Sequence, residues 1–239
     1  MTTLVRLAVC CFALFGSLAF AQYQPFPPAY APPPSPTAAQ ANVAVEITQA
    51  RQRNAMMMQR YSWNERADVV QNGQSKDVRI DLCTYLPTGQ KQCTVVNDQH
   101  APLPGGFFRR NAAENKIKQF EGYLKGLKAL LDQYTLPSAG AMLNFLTTAQ
   151  TFGPGPEGYL TTAGSNVVQP GDSLTIWTYA ATRLPARMSI NTTYQGQAVQ
   201  MTATFKSLPS GLNYMNYATV EVPAQQLQLM VQNFDFNMN

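Results

Sequence analysis

Apolar positions change their spacing several times along this chain, and each change predicts a different element. Val43, Ile47, Ala50, Met57 and Tyr61 recur at mixed steps of three and four, which predicts a helix over 43–60. From Tyr61 to Gln71 the period drops to two. Tyr61, Trp63, Ala67 and Val69 share one face, while Arg66, Asp68 and Val70 share the other. Asn72-Gly73 is a hairpin turn signal. The strand expected after it, 76–86, places Val78, Ile80, Leu82 and Leu86 on one face and Arg79, Asp81, Cys83 and Tyr85 on the other. A third strand through Cys93 and Val96 completes a meander, and 97–110, with two prolines and two glycines, reads as a loop.

The helical period then returns. Ile117, Phe120, Leu124, Leu127, Leu131 and Tyr134 form a stripe, with Lys118, Glu121, Lys125, Lys128 and Asp132 opposite. Pro137 ends that helix, and Met142, Leu143 and Phe145 mark a second segment over 139–149. Beyond Gly153-Pro154-Gly155-Pro156 the alternation is that of strands: 166–168, 173–179, 186–194, 197–207, 212–222 and 225–236, with Gln195-Gly196 as a tight turn. Alternation of this kind means one packed and one wet face, as antiparallel sheets allow. Three strands, helices and about six more strands predict an α+β domain over 42–239, in which a curved antiparallel sheet, half-barrel-like, wraps over one or two long helices.

The segments ahead of this domain set the compartment. Arg6, the apolar run from Leu7 to Leu18 and the small residues of Ala19-Phe20-Ala21 read as a secretory signal peptide over 1–21. A lipoprotein signal ending at Cys10 is the rival, with the large Val9 where a small residue is wanted. Residues 22–41 open with seven prolines between Gln22 and Thr37 and read as a disordered, extended linker. It would be a spacer, or a docking peptide anchored by Phe26 and Tyr30.

Cleavage after Ala21 removes Cys10 and Cys11, leaving Cys83 and Cys93 of the four cysteines. An exported chain with two cysteines is expected to pair them. In a hairpin centred on Thr88, Cys83 faces Cys93, Leu82 faces Thr94 and Ile80 faces Val96, so a disulfide fits the non-hydrogen-bonded register. Closing so small a loop contributes roughly 3 kcal/mol in the chain-entropy model. Two buried free thiols are the alternative. By the periodicity of its strand the disulfide is expected on the polar face.

Charge adds little. There are 17 basic residues, Arg6 included, against 13 acidic ones, dispersed along the chain, so nothing points to nucleic acid. Past the signal no stretch of about 20 apolar residues suggests a membrane span. Enzymatic signatures are missing: no G-x-S-x-G, no H-E-x-x-H and no phosphate-cradling loop. The single histidine, His100, reads as a solvated loop residue. Glu65 and Asp68 point to opposite faces of a strand, and Asp235 is isolated, so neither makes a carboxylate pair. Met56-Met57-Met58 reads as soft filler where a helix meets a sheet. A copper site would want more methionines or a histidine. No metal and no cofactor are expected.

Phe107, Phe108, Arg109 and Arg110, followed by Lys116 and Lys118, form a basic-aromatic cluster. It reads as a solvated helix start, an anionic-lipid contact or a protein-docking site. Positive charge in a first turn opposes the helix dipole, which favours a partner for the cluster.

The stretch TRLPARMSINTTYQGQAVQMTATF, Thr182 to Phe205, resembles the periplasmic lipoprotein-carrier group, the LolA-like half-barrels. A Leu-Pro-x-x-Met strand, a glycine-containing turn and an alternating strand carry the likeness, which continues through YATVEVP and VQNFDF. The Cys83–Cys93 hairpin and the long helix after GGFFRRN have no counterpart in that pattern. The resemblance implies a concave apolar surface that accepts a lipid or a lipoprotein acyl chain, with Trp63, Met188, Met201, Phe205 and Leu229 as lining residues. The same alternation is also what a plain sheet–helix core requires. The expected protein is thus a non-enzymatic periplasmic or secreted component of a bacterial cell envelope that binds an apolar ligand. The alternative is a scaffold that docks another envelope protein.

Overall fold

A computed structural model describes residues 38–86, 88–100, 107–135, 145–155 and 157–239. All of them lie in one compact unit, Pro34–Asn239. Its frame is a single open sheet of ten strands, every adjacent pair antiparallel, that curves over helices packed on one face. This is the α+β half-barrel architecture expected from the pattern.

The strands are β1 (Tyr61–Gln71), β2 (Gln74–Tyr85), β3 (Lys91–His100), β4 (Gln150–Phe152), β5 (Tyr159–Ser165), β6 (Ser173–Tyr179), β7 (Pro185–Tyr194), β8 (Gln197–Ser207), β9 (Asn213–Val222) and β10 (Leu227–Met238). Helix α1 (Ala38–Met58) precedes them, and α2 (Phe107–Thr135) lies between β3 and β4. The spatial order is β3-β2-β1-β10-β9-β8-β7-β6-β5-β4. Two meanders, β1–β3 and β4–β10, are therefore joined by the pairing of β1 with β10, which runs from Tyr61 opposite Met238 to Gln71 opposite Leu227.

Turn chemistry fixes much of the register. Asn72 and Gly73 have φ of 54° and 70°, and Gln195 and Gly196 have 50° and 76°. Both pairs sit in the left-handed region that two-residue hairpins require. Elsewhere the structure departs from the expected pattern. Asn166 to Val168 is no strand but the turn between β5 and β6, while β4 and β5 carry no alternation strong enough to predict. Helix α1 starts five residues ahead of Val43, and β3 continues to His100 where a loop was expected. The segment 139–149 is described only from Phe145, and 145–148 is helical.

The core lies between the sheet and α2. Val69, Leu174, Met188, Ile190, Val199, Met201, Ala218, Val220, Val222 and Leu227 meet Leu127, Leu131 and Tyr134 of α2, with Phe145 and Leu146. One glycine makes that packing feasible. A Cβ on Gly164 of β5 would stand 2.8 Å from the Phe145 ring and 3.2 Å from Ala149 Cβ.

The disulfide is present, with Cys83 paired to Cys93, Cα atoms 4.1 Å apart and Leu82 opposite Thr94. Its face is a correction. Cys83 stands opposite Trp63 across β1 and is wholly buried, whereas Leu82, expected in the core, is 45% exposed. The bulky indole decides which face of β2 turns inward, and the aliphatic count of β2 alone points the wrong way. A bulge between Ile80 and Asp81 also pairs Ile80 with Asn97 rather than Val96.

Candidate functional site

The five residues implied as ligand-lining fall into two places. Met188 and Met201 lie buried in the core beneath α2, and Phe205 and Leu229 pack half-buried against the same cluster. Trp63 belongs to a separate aromatic group. Its ring stacks on Phe236 with centroids 5.9 Å apart and lies 5.5 Å from Tyr85. Its Nε1–H donates to Asn233 Oδ1 at 3.1 Å, and the Lys91 ammonium, ion-paired with Glu65, sits 5.7 Å from its centroid.

Helix α1 covers the end of the sheet where β6–β7 and β8–β9 turn and β1 begins. Among its described side chains Ala50 is buried and Ile47 packs partly against the cluster. Polar latches tie it to the sheet and to α2. Asn54 Nδ2–H donates to the Asn213 carbonyl at 2.7 Å, and the Asn213 N–H donates back to Asn54 Oδ1 at 2.8 Å. Glu46 pairs with Arg183 of the β6–β7 turn at 3.0 Å. Arg51 donates to the carbonyl of Thr135, the last residue of α2, at 3.3 Å, and burial lowers its guanidinium from the ordinary value. Intramolecular bonds of this kind contribute about 1 kcal/mol each. A helix held this way costs far less to displace than one held by a broad apolar face.

Two open depressions flank α1. One, of about 310 Å³, lies between Glu46, Gln49 and Arg53 and the turn at Ala180–Arg183. The other, of about 420 Å³, is formed by Arg53, Met56, Met57 and Arg60 at the end of the helix. Neither includes any of the five residues above. Met56 and Met57 of the methionine run, read from sequence as filler, thus line an open surface. Their exposure follows from the helix face on which they fall, which the uneven spacing of α1 leaves undefined.

The opposite end of the sheet holds a buried polar cluster that no sequence pattern announced. Asp172, 2% exposed, accepts a bond of 2.6 Å from the Tyr134 hydroxyl and bonds from the backbone N–H groups of Val167, Val168 and Gln169. Thr192 Oγ1 lies 2.8 Å from the same hydroxyl. Burial alone would raise the Asp172 carboxyl, but the Tyr134 bond and the three backbone donors outweigh it and hold the group below its usual range. Burial and the neighbouring carboxylate push the Tyr134 hydroxyl strongly upward. Aspartate stays ionised and tyrosine stays protonated at neutral pH, so the pair is a structural staple between α2 and the β5–β6 turn.

Other expected positions are dispersed. Glu65 serves Lys91, and Asp68 serves Arg66 at 2.9 Å on the far face of β1. His100 ends β3 opposite Asp77, and its side chain lies outside the described residues. Phe107, Phe108, Arg109 and Arg110 begin α2, and their side chains also lie outside the described residues. Among the described residues no group of three or more His, Cys, Asp or Glu is placed to hold a metal ion, and no helix is long and apolar enough to cross a membrane.

No protein-family model matches this chain, and no curated protein does. Among solved structures it is similar to a DUF1329 family protein from Desulfovibrio piger, at 10% identity and a TM-score of 0.40, covering 85% of this chain and 93% of that one. It is similar to a domain described as an outer membrane lipoprotein-sorting protein from Vibrio parahaemolyticus, at 9% identity and 0.38, covering 83% and 93%. A LolA superfamily protein from Nitrosomonas europaea is similar at 9% identity and 0.33, covering 82% and 93%.

Proposed function

We propose that this chain is an exported, non-enzymatic cell-envelope protein that binds a lipid, a lipoprotein acyl chain or another apolar ligand on the helix-covered face of its sheet. The observation that supports this most is the manner in which α1 is held. It closes the end of an apolar layer through the Asn54–Asn213 and Glu46–Arg183 latches, and among its described side chains only Ala50 and Ile47 join the core. Displacing it would open that end of the layer, and a chain entering there would reach Phe205, Met201, Met188 and Leu229 by parting α2 from the sheet, with Trp63 at the margin. The secretory segment at 1–21 and the Cys83–Cys93 disulfide favour an oxidising compartment, the periplasm or the exterior.

Native mass measurement after mild purification, with titration of a fluorescent fatty-acid probe, tests the reading. Co-purified lipid or saturable probe binding is expected, and Asn54→Ala is expected to speed probe entry. No lipid and no probe binding would overturn it.

A second reading is favoured by the filled core, where Leu127, Leu131, Tyr134 and Phe145 already occupy the inner face. In that reading the protein is a scaffold that docks another envelope protein through its surface. Reversing the charges of Arg109 and Arg110 should then abolish capture of that partner and leave probe binding intact.

A further inference from the structure

We propose that the corner formed by the end of α1 and the adjoining end of β10 docks on an anionic lipid surface. Met56 and Met238 are 61% and 66% exposed, the two most exposed methionines among the described residues. They belong to one corner, since the Asn239 N–H donates to the Arg60 carbonyl at 2.8 Å and Met238 pairs with Tyr61, directly after Arg60. Met57, half-buried, supplies the floor of the depression of about 420 Å³ between Arg53 and Arg60.

The charged side chains lining the depression, Arg53 and Arg60, are of one sign. Among the described residues neither Arg53 nor Arg60 has an acidic partner, and no acid lines the depression. The acid of α1, Glu46, lines the neighbouring depression with Arg53 and is engaged there by Arg183 at 3.0 Å. Attraction to the carbonyl end of the helix accounts for a cation at Arg60. It does not account for bare thioether side chains beside it. Unbranched, flexible methionines flanked by free guanidinium groups match the interface of an anionic leaflet, where apolar groups enter the acyl boundary and cations meet phosphates. Charge complementarity therefore selects the occupant, and the shallowness of the depression favours a surface over an enclosed ligand.

Co-sedimentation of the full exported chain with phosphatidylcholine vesicles, with and without phosphatidylglycerol, tests this. Binding is expected only to the anionic vesicles and is expected to fall as salt rises, because the screening length shortens to about 10 Å at 0.1 M. The pair Arg53→Gln and Arg60→Gln should weaken binding about 25-fold, a cation near such a surface contributing a factor of about five. Met56→Ser should weaken it without changing the salt dependence. Circular dichroism and fatty-acid probe binding should be unchanged in all these variants, so failure here is distinct from failure of the carrier reading. Equal binding to neutral and anionic vesicles, or undiminished binding by the arginine pair, would overturn the proposal. So would competition by soluble glycerol phosphate, which would mark a site for free anions. A vesicle-independent dimer abolished by the same variants would assign the corner to a second copy of the chain.

Discussion

The sheet has two halves that the same ladder of hydrogen bonds runs through but that different forces hold. From β6 to β10 the inner face is sealed by α2, and side chains such as Leu127, Ile190, Val199 and Val222 are fully buried. From β1 outward to β3 that cover thins. Every described β3 side chain except Cys93 is exposed, and Val95 and Val96 stand in the open. There the chain uses a covalent bond, the Arg79–Asp81 and Lys91–Glu65 ion pairs and a stacked tryptophan in place of a helix. The bulge at Ile80/Asp81 and the charged residues of β3 also disrupt an edge that would otherwise template another strand. A sheet end without a helical layer keeps its register by cross-link and local pairing, and its stability should be local in the same sense.

The most severe test of the contrast is Leu127→Ala. It should lower global stability by about 4 kcal/mol, because it empties a fully buried site between α2 and the sheet. Denaturant unfolding measures it, and hydrogen exchange should accelerate across β6–β10 together. Asp172→Ala comes next, at about 3 kcal/mol, since it removes the acceptor of three backbone donors and leaves the buried Tyr134 hydroxyl with Thr192 alone. The Asp172 carboxyl lies below its ordinary value of 3.8 when folded, so its contribution is complete above that value and is lost as pH falls through the folded value. Acid unfolding of Asp172→Asn should accordingly show a flatter dependence below that pH.

Replacing Cys83 and Cys93 by serine should cost about 2–3 kcal/mol at most, with fast amide exchange confined to β2 and β3. Equal acceleration in β7 and β8 would dissolve the distinction between the halves. Gly164→Ala should be the mildest, about 1–2 kcal/mol, as the Phe145 ring gives way to the added methyl group.

Legibility follows the same division. Where period, turn and stripe agreed, the chain could be read closely. The span of β1, the Asn72-Gly73 and Gln195-Gly196 turns, the spans of β6 and β8 and the stripe of α2 all stand where the pattern placed them. The Cys83–Cys93 pairing was readable because strand geometry leaves few partners at that separation. The inward face of β2 was not, because Leu82 and Cys83 compete for it and the winner is set by Trp63 on the next strand. Asp172 was invisible for a related reason. Its backbone partners belong to its own turn, but the Tyr134 hydroxyl that completes the cluster comes from the end of α2, too far off in sequence to form a motif with it. Nor did the methionine run declare its role, since helical spacing that favours no face cannot tell an open surface from a packed one.

The seam between β1 and β10 bears on how such a chain is made. The first and last strands lie side by side in the middle of the layer, so one flank of β1 has no mate until the final ladder of the polypeptide has been delivered. Until then there are only two partial meanders, each with an unsatisfied border. A protein built in this order closes its sheet last, once both borders have been delivered.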